Sequence, residues 1–259
     1  MAFSLASVSK TQPKAPIMVI HGGPGIGKTT FAASAPSAVF IPTEDGFGSL
    51  NADAFPIATS FADVMSAMTV LYQEKHDFKT MVVDSLSALE MLISQAVAKD
   101  NNKTSIEEIP YGRGYGLALS YWQQFLDAVI ALRNDKSILP ILIAHSNVER
   151  YDAPDVDSYD RYVIALHKKA MALIYERADL IGFASLKTLV RKEEVGFDKK
   201  ISRGVGTGER LLHLVEKPAF LAKNRYQLPE SMPLAWDSFQ AALNTAMQTT
   251  QPTKQQPKN

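Results

Sequence analysis

Residues Gly22 to Thr30 read GGPGIGKTT and follow the apolar run Ile17, Met18, Val19, Ile20. Gly22, Gly27, Lys28 and Thr29 satisfy the spacing GxxxxGK[ST]. Glycines at this density free successive backbone N–H groups to turn inward around an anion where a helix begins. In such a loop the lysine ammonium reaches the β- and γ-phosphates and the threonine hydroxyl coordinates Mg²⁺. The pattern therefore selects a nucleoside triphosphate over phosphate in general. The phosphate-contacting set is Gly22, Gly23, Pro24, Gly25, Ile26, Gly27, Lys28, Thr29 and Thr30.

Three further side chains have types suited to the same chemistry. Asp84 closes the run TMVVD (Thr80 to Asp84), where a carboxylate holds Mg²⁺ through its water shell; the alternative for such a residue is a helix N-cap. Glu44 follows the apolar run Ala38 to Ile41 in PTEDG, placed to act on the hydrolytic water or else to sit as a solvated turn residue. His145 ends the run Ile138 to Ala144 and either hydrogen-bonds the γ-phosphate or serves as a core residue.

These residues must be carried by alternating strands and helices. Lys28 to Ala35 reads as a helix closed by Pro36. Ser60 and Asp63 cap a helix that buries Phe61, Val64, Met68 and Leu71, and Ser87 with Glu90 caps another that buries Leu89, Ile93 and Val97. A fourth helix carries Trp122, Phe125, Leu126 and Val129 on one face, and Met171, Ile174 and Tyr175 mark a fifth before a strand at Leu180 to Phe183. Asn101 to Gly116 and Ser146 to Leu166 read as long loops. The second holds five acidic residues between Glu149 and Asp160, beside Arg150 and Arg161. Between Lys187 and Arg210 seven basic residues face four acidic ones around Gly204, Gly206 and Gly208, the pattern of a basic β-hairpin arm with a flexible tip; it closes with Leu211 to Val215. Ala219 to Lys223 reads as a last short strand, Trp236, Phe239, Leu243 and Met247 as one face of a terminal helix, and QPTKQQPKN as a disordered tail.

Alternation of this kind means an α/β fold with a doubly wound, mostly parallel sheet, whose ligands bind at the carboxyl ends of the strands. Gly22, Glu44, Asp84 and His145 all fall at such ends, which argues for one active site. The expected organisation is an N-terminal arm (1–12), a core (13–228), and a C-terminal helix with its tail (229–259).

Composition narrows the partners. Lys+Arg and Asp+Glu are both 27 in 259 residues, so no global basic field advertises nucleic acid and any such contact must be local. Cysteine is absent, which removes disulfides and thiolate chemistry and suits a reducing cytoplasm. The five histidines form no metal-ligand pattern, no apolar run approaches a membrane span, and the first residues lack the layout of a signal peptide.

The order GPGIGKT, FIPTEDG, MVVDS, LIAHS, FLAKNR over residues 13 to 228 resembles the core of RecA-type recombinases, and within them the RecA-like phage ATPases of AAA type that include single-strand annealing proteins. The resemblance implies a RecA-like P-loop NTPase fold with the His145 strand between the P-loop and Asp84 strands. It implies ATP and Mg²⁺ as ligands and a Mg-dependent ATPase (hydrolase) acting in DNA recombination. Lys28 and Thr29 would bind phosphate and Mg²⁺, Asp84 would be the Walker B acid, and Glu44 would position water. His145 stands where RecA has a glutamine sensor. Lys223 and Arg225 match a basic pair that reaches a neighbouring subunit's ATP, so the chain is expected to form a homo-oligomer, as a ring or a filament. Phe3 and Ala6 match an FxxA assembly motif. A phage-encoded protein of this kind would work in the host cytoplasm.

The two long loops match RecA's DNA-binding loops. In the first, Tyr111, Arg113 and Tyr115 alternate around glycines, a stacking and phosphate-clamping set for single-stranded DNA or, alternatively, a lid over nucleotide. Two other functions fit the P-loop: a nucleotide-gated switch or assembly scaffold, and a small-molecule (nucleotide) kinase, for which no arginine-rich lid is evident.

Overall fold

Ile17 and Val19 belong to one hydrophobic cluster and Met18 and Ile20 to another, the period-two signature of a strand buried on both faces. Every strand at the centre of the fold shares it. The computed structural model describes residues 4–10, 13–194 and 200–249. In chain order its elements are β1 (Met18–Gly22), α1 (Lys28–Ala33), β2 (Ala38–Pro42), β3 (Asp53–Ala54), α2 (Phe61–Gln73), β4 (Thr80–Asp84) and α3 (Leu86–Asp100). There follow α4 (Arg113–Lys136), β5 (Leu139–Ala144), β6 (Ser146–Ala153), β7 (Val156–Ile164) and α5 (Lys168–Arg177). The chain continues through β8 (Leu180–Glu194), β9 (Lys200–His213), β10 (Lys223–Asn224), β11 (Ser231–Pro233) and α6 (Trp236–Thr249).

The main sheet runs β11-β9-β8-β1-β5-β4-β2-β3, with β10 paired to β8. The strands from β3 to β8 in this order pair in parallel, and β9, β10 and β11 add antiparallel edges. The fold is thus the expected α/β, mostly parallel, doubly wound sheet with a hairpin arm and a terminal helix. β5 lies between β1 and β4, as the resemblance implies. One face is covered by α2 to α5 through Phe61, Leu89, Trp122, Phe125 and Ile174, and the other by α1 and α6 through Phe31, Trp236 and Phe239.

Several sequence expectations are corrected. The Ser60 cap forms, accepting from the Asp63 N–H, but the Asp63 carboxylate accepts from Thr59. α3 is capped by Ser85, not Ser87. The Ser87 hydroxyl donates to Ala165 O, and Glu90 accepts from the His167 N–H, so both reach across to the chain after β7. The loop at 101–116 is shorter than expected because α4 already begins at Arg113. Gly114 packs so closely there that a Cβ would stand 2.6 Å from Ile106 Cγ1, so this glycine serves contact, not mobility.

Residues 146–164 form a hairpin of β6 and β7, not a loop. Glu149 lies opposite Arg161 and Arg150 opposite Asp160 in register, while the ion pairs join Arg161 to Glu216 at 2.9 Å and Arg150 to Asp152 at 3.5 Å, so the charges that made the segment read as irregular belong to a paired hairpin. Arg161 also lies over the Tyr151 ring at 4.1 Å. Gly204 and Gly206 sit inside β9, paired with Val190 and Thr188, and so do not mark a tip. Of the expected strand at Ala219 to Lys223, only Lys223 is in a strand, β10. β3 and β11 have no counterpart in the sequence reading; two- and three-residue strands are too short to show a period. Phe3 of the FxxA motif, and the tail from 250 onward, lie outside the described residues.

Candidate nucleotide site

β1 delivers the glycine-rich turn to the carboxyl edge of the sheet. Gly22 must be glycine there because a Cβ would stand 2.5 Å from the Ala184 carbonyl oxygen on β8. Gly27 caps α1 with φ of 101°, in the left-handed region. The Lys28 ammonium, largely buried, donates to Gly22 O and Gly23 O at 2.9 Å each and so closes the loop on itself. Burial lowers the Lys28 pKa, and the charges of Asp84 and Glu44 act in the opposite direction.

Thr29 and Asp84 meet across the sheet: the Thr29 hydroxyl donates to Asp84 Oδ2 at 2.8 Å. A hydroxyl and a carboxylate side by side are the hard oxygen donors that Mg²⁺ takes together with phosphate and water, so the pair fits that ion. Burial raises the Asp84 pKa, and the Thr29 bond lowers it. Because Ser85 caps α3, the Asp84 carboxylate is left free for this contact.

Glu44 and His145 are brought together from the ends of β2 and β5. His145 Nε2 donates to Glu44 Oε1 at 3.1 Å, and the two side chains are 42% and 37% exposed, enough to meet a ligand. Both are fixed from behind. The His145 N–H donates to Ser87 Oγ at 3.1 Å. Thr43, which the sequence reading passed over, is buried; its N–H donates to Asp84 O, and its hydroxyl donates to Ser85 O and accepts from the Ser85 N–H. Three bonds thus hold the chain leading to Glu44 against the chain leaving Asp84. A hydroxyl next to a strand-end carboxylate was the only signal for it.

His21 is a second residue the sequence reading missed. It is fully buried directly before Gly22, and its Nε2 lies 2.8 Å from Leu221 O. A carbonyl only accepts, so Nε2 carries the proton, and Nδ1 accepts from Ser146 Oγ at 2.8 Å. Burial depresses its pKa to about 4, the Leu221 bond opposes this, and Lys28 adds to it. The folded state keeps His21 neutral while the unfolded chain protonates it below about 6.5, so stability should fall as pH drops from about 6.5 to about 4. The loss attributable to His21 should reach ~2 kcal/mol by pH 5. Denaturant unfolding at pH 7 and pH 5 checks this: His21→Gln should lose that much less than the unmodified protein, and equal losses would exclude His21 as the cause.

The remaining candidates lie apart from this site. Tyr111 is 98% exposed, Arg113 is exposed at the start of α4, and Tyr115 faces elsewhere. The Tyr115 ring stacks on His167 at 4.1 Å and its hydroxyl donates to Glu107. The three therefore do not form one exposed set. Tyr115 instead helps wall a cavity of about 580 Å³ with Glu90, Trp122 and His167. Lys223 and Arg225 lie near the amino end of β8, away from the phosphate loop. Lys223 Nζ donates to Tyr175 O and Glu176 O at the end of α5, and Arg225 pairs with Asp179 at 3.3 Å. Arg210, read in the sequence only as the end of the basic hairpin arm, reaches the phosphate loop from β9: its Nη1 lies 2.8 Å from the position of a Cβ on Gly27.

Among known proteins, a crystal structure of the RadB recombinase is similar over 77% of this chain and 81% of that one, at 15% identity and a TM-score of 0.43. So partial an overlap carries no argument about this chain. No curated protein sequence matches. No helix among the described residues is long and apolar enough to cross a membrane. A family model described as an AAA domain matches residues 14–226, well over half of the chain and all of the strand-end residues above. The chain belongs to the AAA domain family and is a nucleotide-binding protein of the P-loop ATPase class.

Proposed function

We propose that the protein is a Mg²⁺-dependent ATPase that assembles with copies of itself and acts on single-stranded DNA, in recombination or annealing of the phage type. The observation that carries the hydrolytic part is the meeting of Lys28, Thr29, Asp84, Glu44 and His145 at one edge of the sheet, from four different strand ends. Lys28 exchanges its two carbonyl partners for β- and γ-phosphate oxygens. Thr29 and Asp84 would hold the ion, which would supply positive charge to offset that of the phosphates. The Glu44 carboxylate accepts from the attacking water and orients it in line. His145 donates to Glu44 and so holds that carboxylate in place. It also begins the connection to β6, which puts it where the state of the γ-phosphate can reach the β6–β7 hairpin.

Phosphate release measured with magnesium, with and without single-stranded DNA, tests this reading. Nucleotide that binds but is not hydrolysed at any protein concentration would leave a nucleotide-gated switch or scaffold in its place.

For DNA, the exposed Tyr111 and Arg113 offer a ring and a cation, and base stacking contributes about 1–3 kcal/mol without needing net basic charge. Replacing both with alanine should weaken single-strand binding by roughly tenfold or more and spare ATP binding. Adding Tyr115→Ala should add less, since that ring is already stacked on His167. Unchanged DNA affinity in the triple variant, with loss of nucleotide affinity, would make the segment a lid.

Lys223 and Arg225 are the pair proposed to complete a neighbour's site, since both lie away from the chain's own phosphate loop. Specific activity should therefore fall on dilution. A flat line down to a monomeric state would remove the trans role.

A further inference from the structure

The strand order divides the surroundings of the phosphate loop into two sides. β5, β4 and β2 lie to one side of β1 and carry His145, Asp84 and Glu44. β8 and β9 lie to the other. The end of a triphosphate that meets Lys28, Asp84 and Glu44 fixes the direction of the chain, so the nucleoside must leave the loop toward β9.

A cavity of about 270 Å³ lies on that side, walled by Thr30, Phe31, Ser34, Arg210, Trp236 and Asp237. It begins at Gly27 and Thr30, where the phosphate loop ends, and is closed by the segment from Leu234 into α6. Arg210 stands opposite Leu186, two residues beyond the last β1–β8 pair, Gly22 with Ala184, and so projects past the carboxyl edge beside the loop. Among the described residues no carboxylate lies at ion-pair distance from its guanidinium. The lining combines a planar cation, apolar surface from Phe31 and Trp236, two hydroxyls and one carboxylate. A further phosphate would have to sit beside Asp237. A flat heteroaromatic ring with an amino group meets every one of these walls, since a guanidinium stacks on such a ring and a carboxylate accepts from the amine.

We propose that this cavity receives the nucleoside of a bound purine nucleotide, with Arg210 lying across the base and Asp237 accepting from its exocyclic amine. The assignment rests on reading Gly22 to Thr30 as a nucleoside triphosphate site. A purine is preferred over a pyrimidine because its larger ring offers more stacked surface. The base of the β8–β9 hairpin thereby becomes part of the nucleotide site.

Calorimetric titrations with magnesium and ATP, CTP or inorganic tripolyphosphate test this on the unmodified protein, Arg210→Ala, Arg210→Lys and Asp237→Asn. Arg210 is exposed, so its removal leaves the core intact. The unmodified protein should bind ATP more tightly than CTP or tripolyphosphate. Arg210→Ala should weaken ATP about tenfold and leave tripolyphosphate within about twofold; Arg210→Lys should resemble Arg210→Ala, because an ammonium keeps the charge but loses the plane. Asp237→Asn should weaken ATP and CTP, whose bases both carry an exocyclic amine, and leave tripolyphosphate within about twofold. Unchanged ATP affinity in the Arg210 variants would overturn the proposal. So would an equal loss for tripolyphosphate, which would make Arg210 a phosphate ligand, or full rescue by lysine. Failure of the unmodified protein to bind either ATP or tripolyphosphate would instead overturn the triphosphate site itself, and the cavity assignment with it.

Discussion

Glu44→Gln is expected to leave ATP bound and to slow phosphate release by at least about a hundredfold, whereas Lys28→Ala is expected to lose nucleotide affinity itself. The two residues differ in what they meet. Lys28 is a largely buried cation that turns toward the loop's own carbonyls; removing it leaves the anion nest with its backbone N–H groups but without the charge that answers the β- and γ-phosphates. Glu44 acts on the loop only through its charge, which raises the Lys28 pKa against burial. Its partner is His145 at 3.1 Å, and glutamine keeps the shape and an acceptor oxygen while giving up the negative charge that attracts a proton from water. Binding measured with a fluorescent nucleotide, beside phosphate release on the same samples, separates the two effects. If Glu44→Gln hydrolyses ATP at the unmodified rate, the water-orienting role passes to His145.

Phe239→Ala is expected to cost about 3–5 kcal/mol of stability, the range for emptying a fully buried aromatic site. Phe239 has no exposed surface and meets Phe31 edge-on, with centroids 5.8 Å apart, and Trp236 at 5.4 Å. Phe31 belongs to α1, the short helix that begins with Lys28 and Thr29. Six residues of helix cannot hold their own shape in water, so α1 depends on what packs against it. Loosening α6 should therefore weaken ATP binding in the fraction that remains folded, because its packing on Phe31 supports the helix that begins at Lys28. Chemical denaturation gives the first quantity and titration at low temperature the second. A loss below about 1 kcal/mol would mean that α6 only rests on the core.

The elements that were readable in the sequence are those whose signal is local. The phosphate loop is set by glycine's conformational freedom and by one lysine and one threonine at fixed spacing. β4 ends at Asp84 as its apolar run does. Ser60 caps α2 as expected. Where local and long-range demands compete, the sequence misleads. Ser87 and Glu90 have the spacing of a capping box, yet both side chains find partners beyond β7, and Ser85 takes the cap. The β6–β7 hairpin carries charge on both faces, so it has no period-two pattern, and its pairing is legible only once Glu149 and Arg161 are opposite each other.

By itself the sequence determined the chemistry of the phosphate-binding loop, the α/β alternation, and which residues fall at strand ends, because each of these depends on neighbours within a few positions. Only the tertiary structure decided which strand ends face one another. It turned His145 toward Glu44, joined Thr29 to Asp84, tied Thr43 to Ser85, and carried Arg210 from β9 to the side of the loop opposite the carboxylates. The physical reason is that strand order and register follow from how the two faces of the sheet bury their side chains, a property of the whole chain that no short stretch of it encodes.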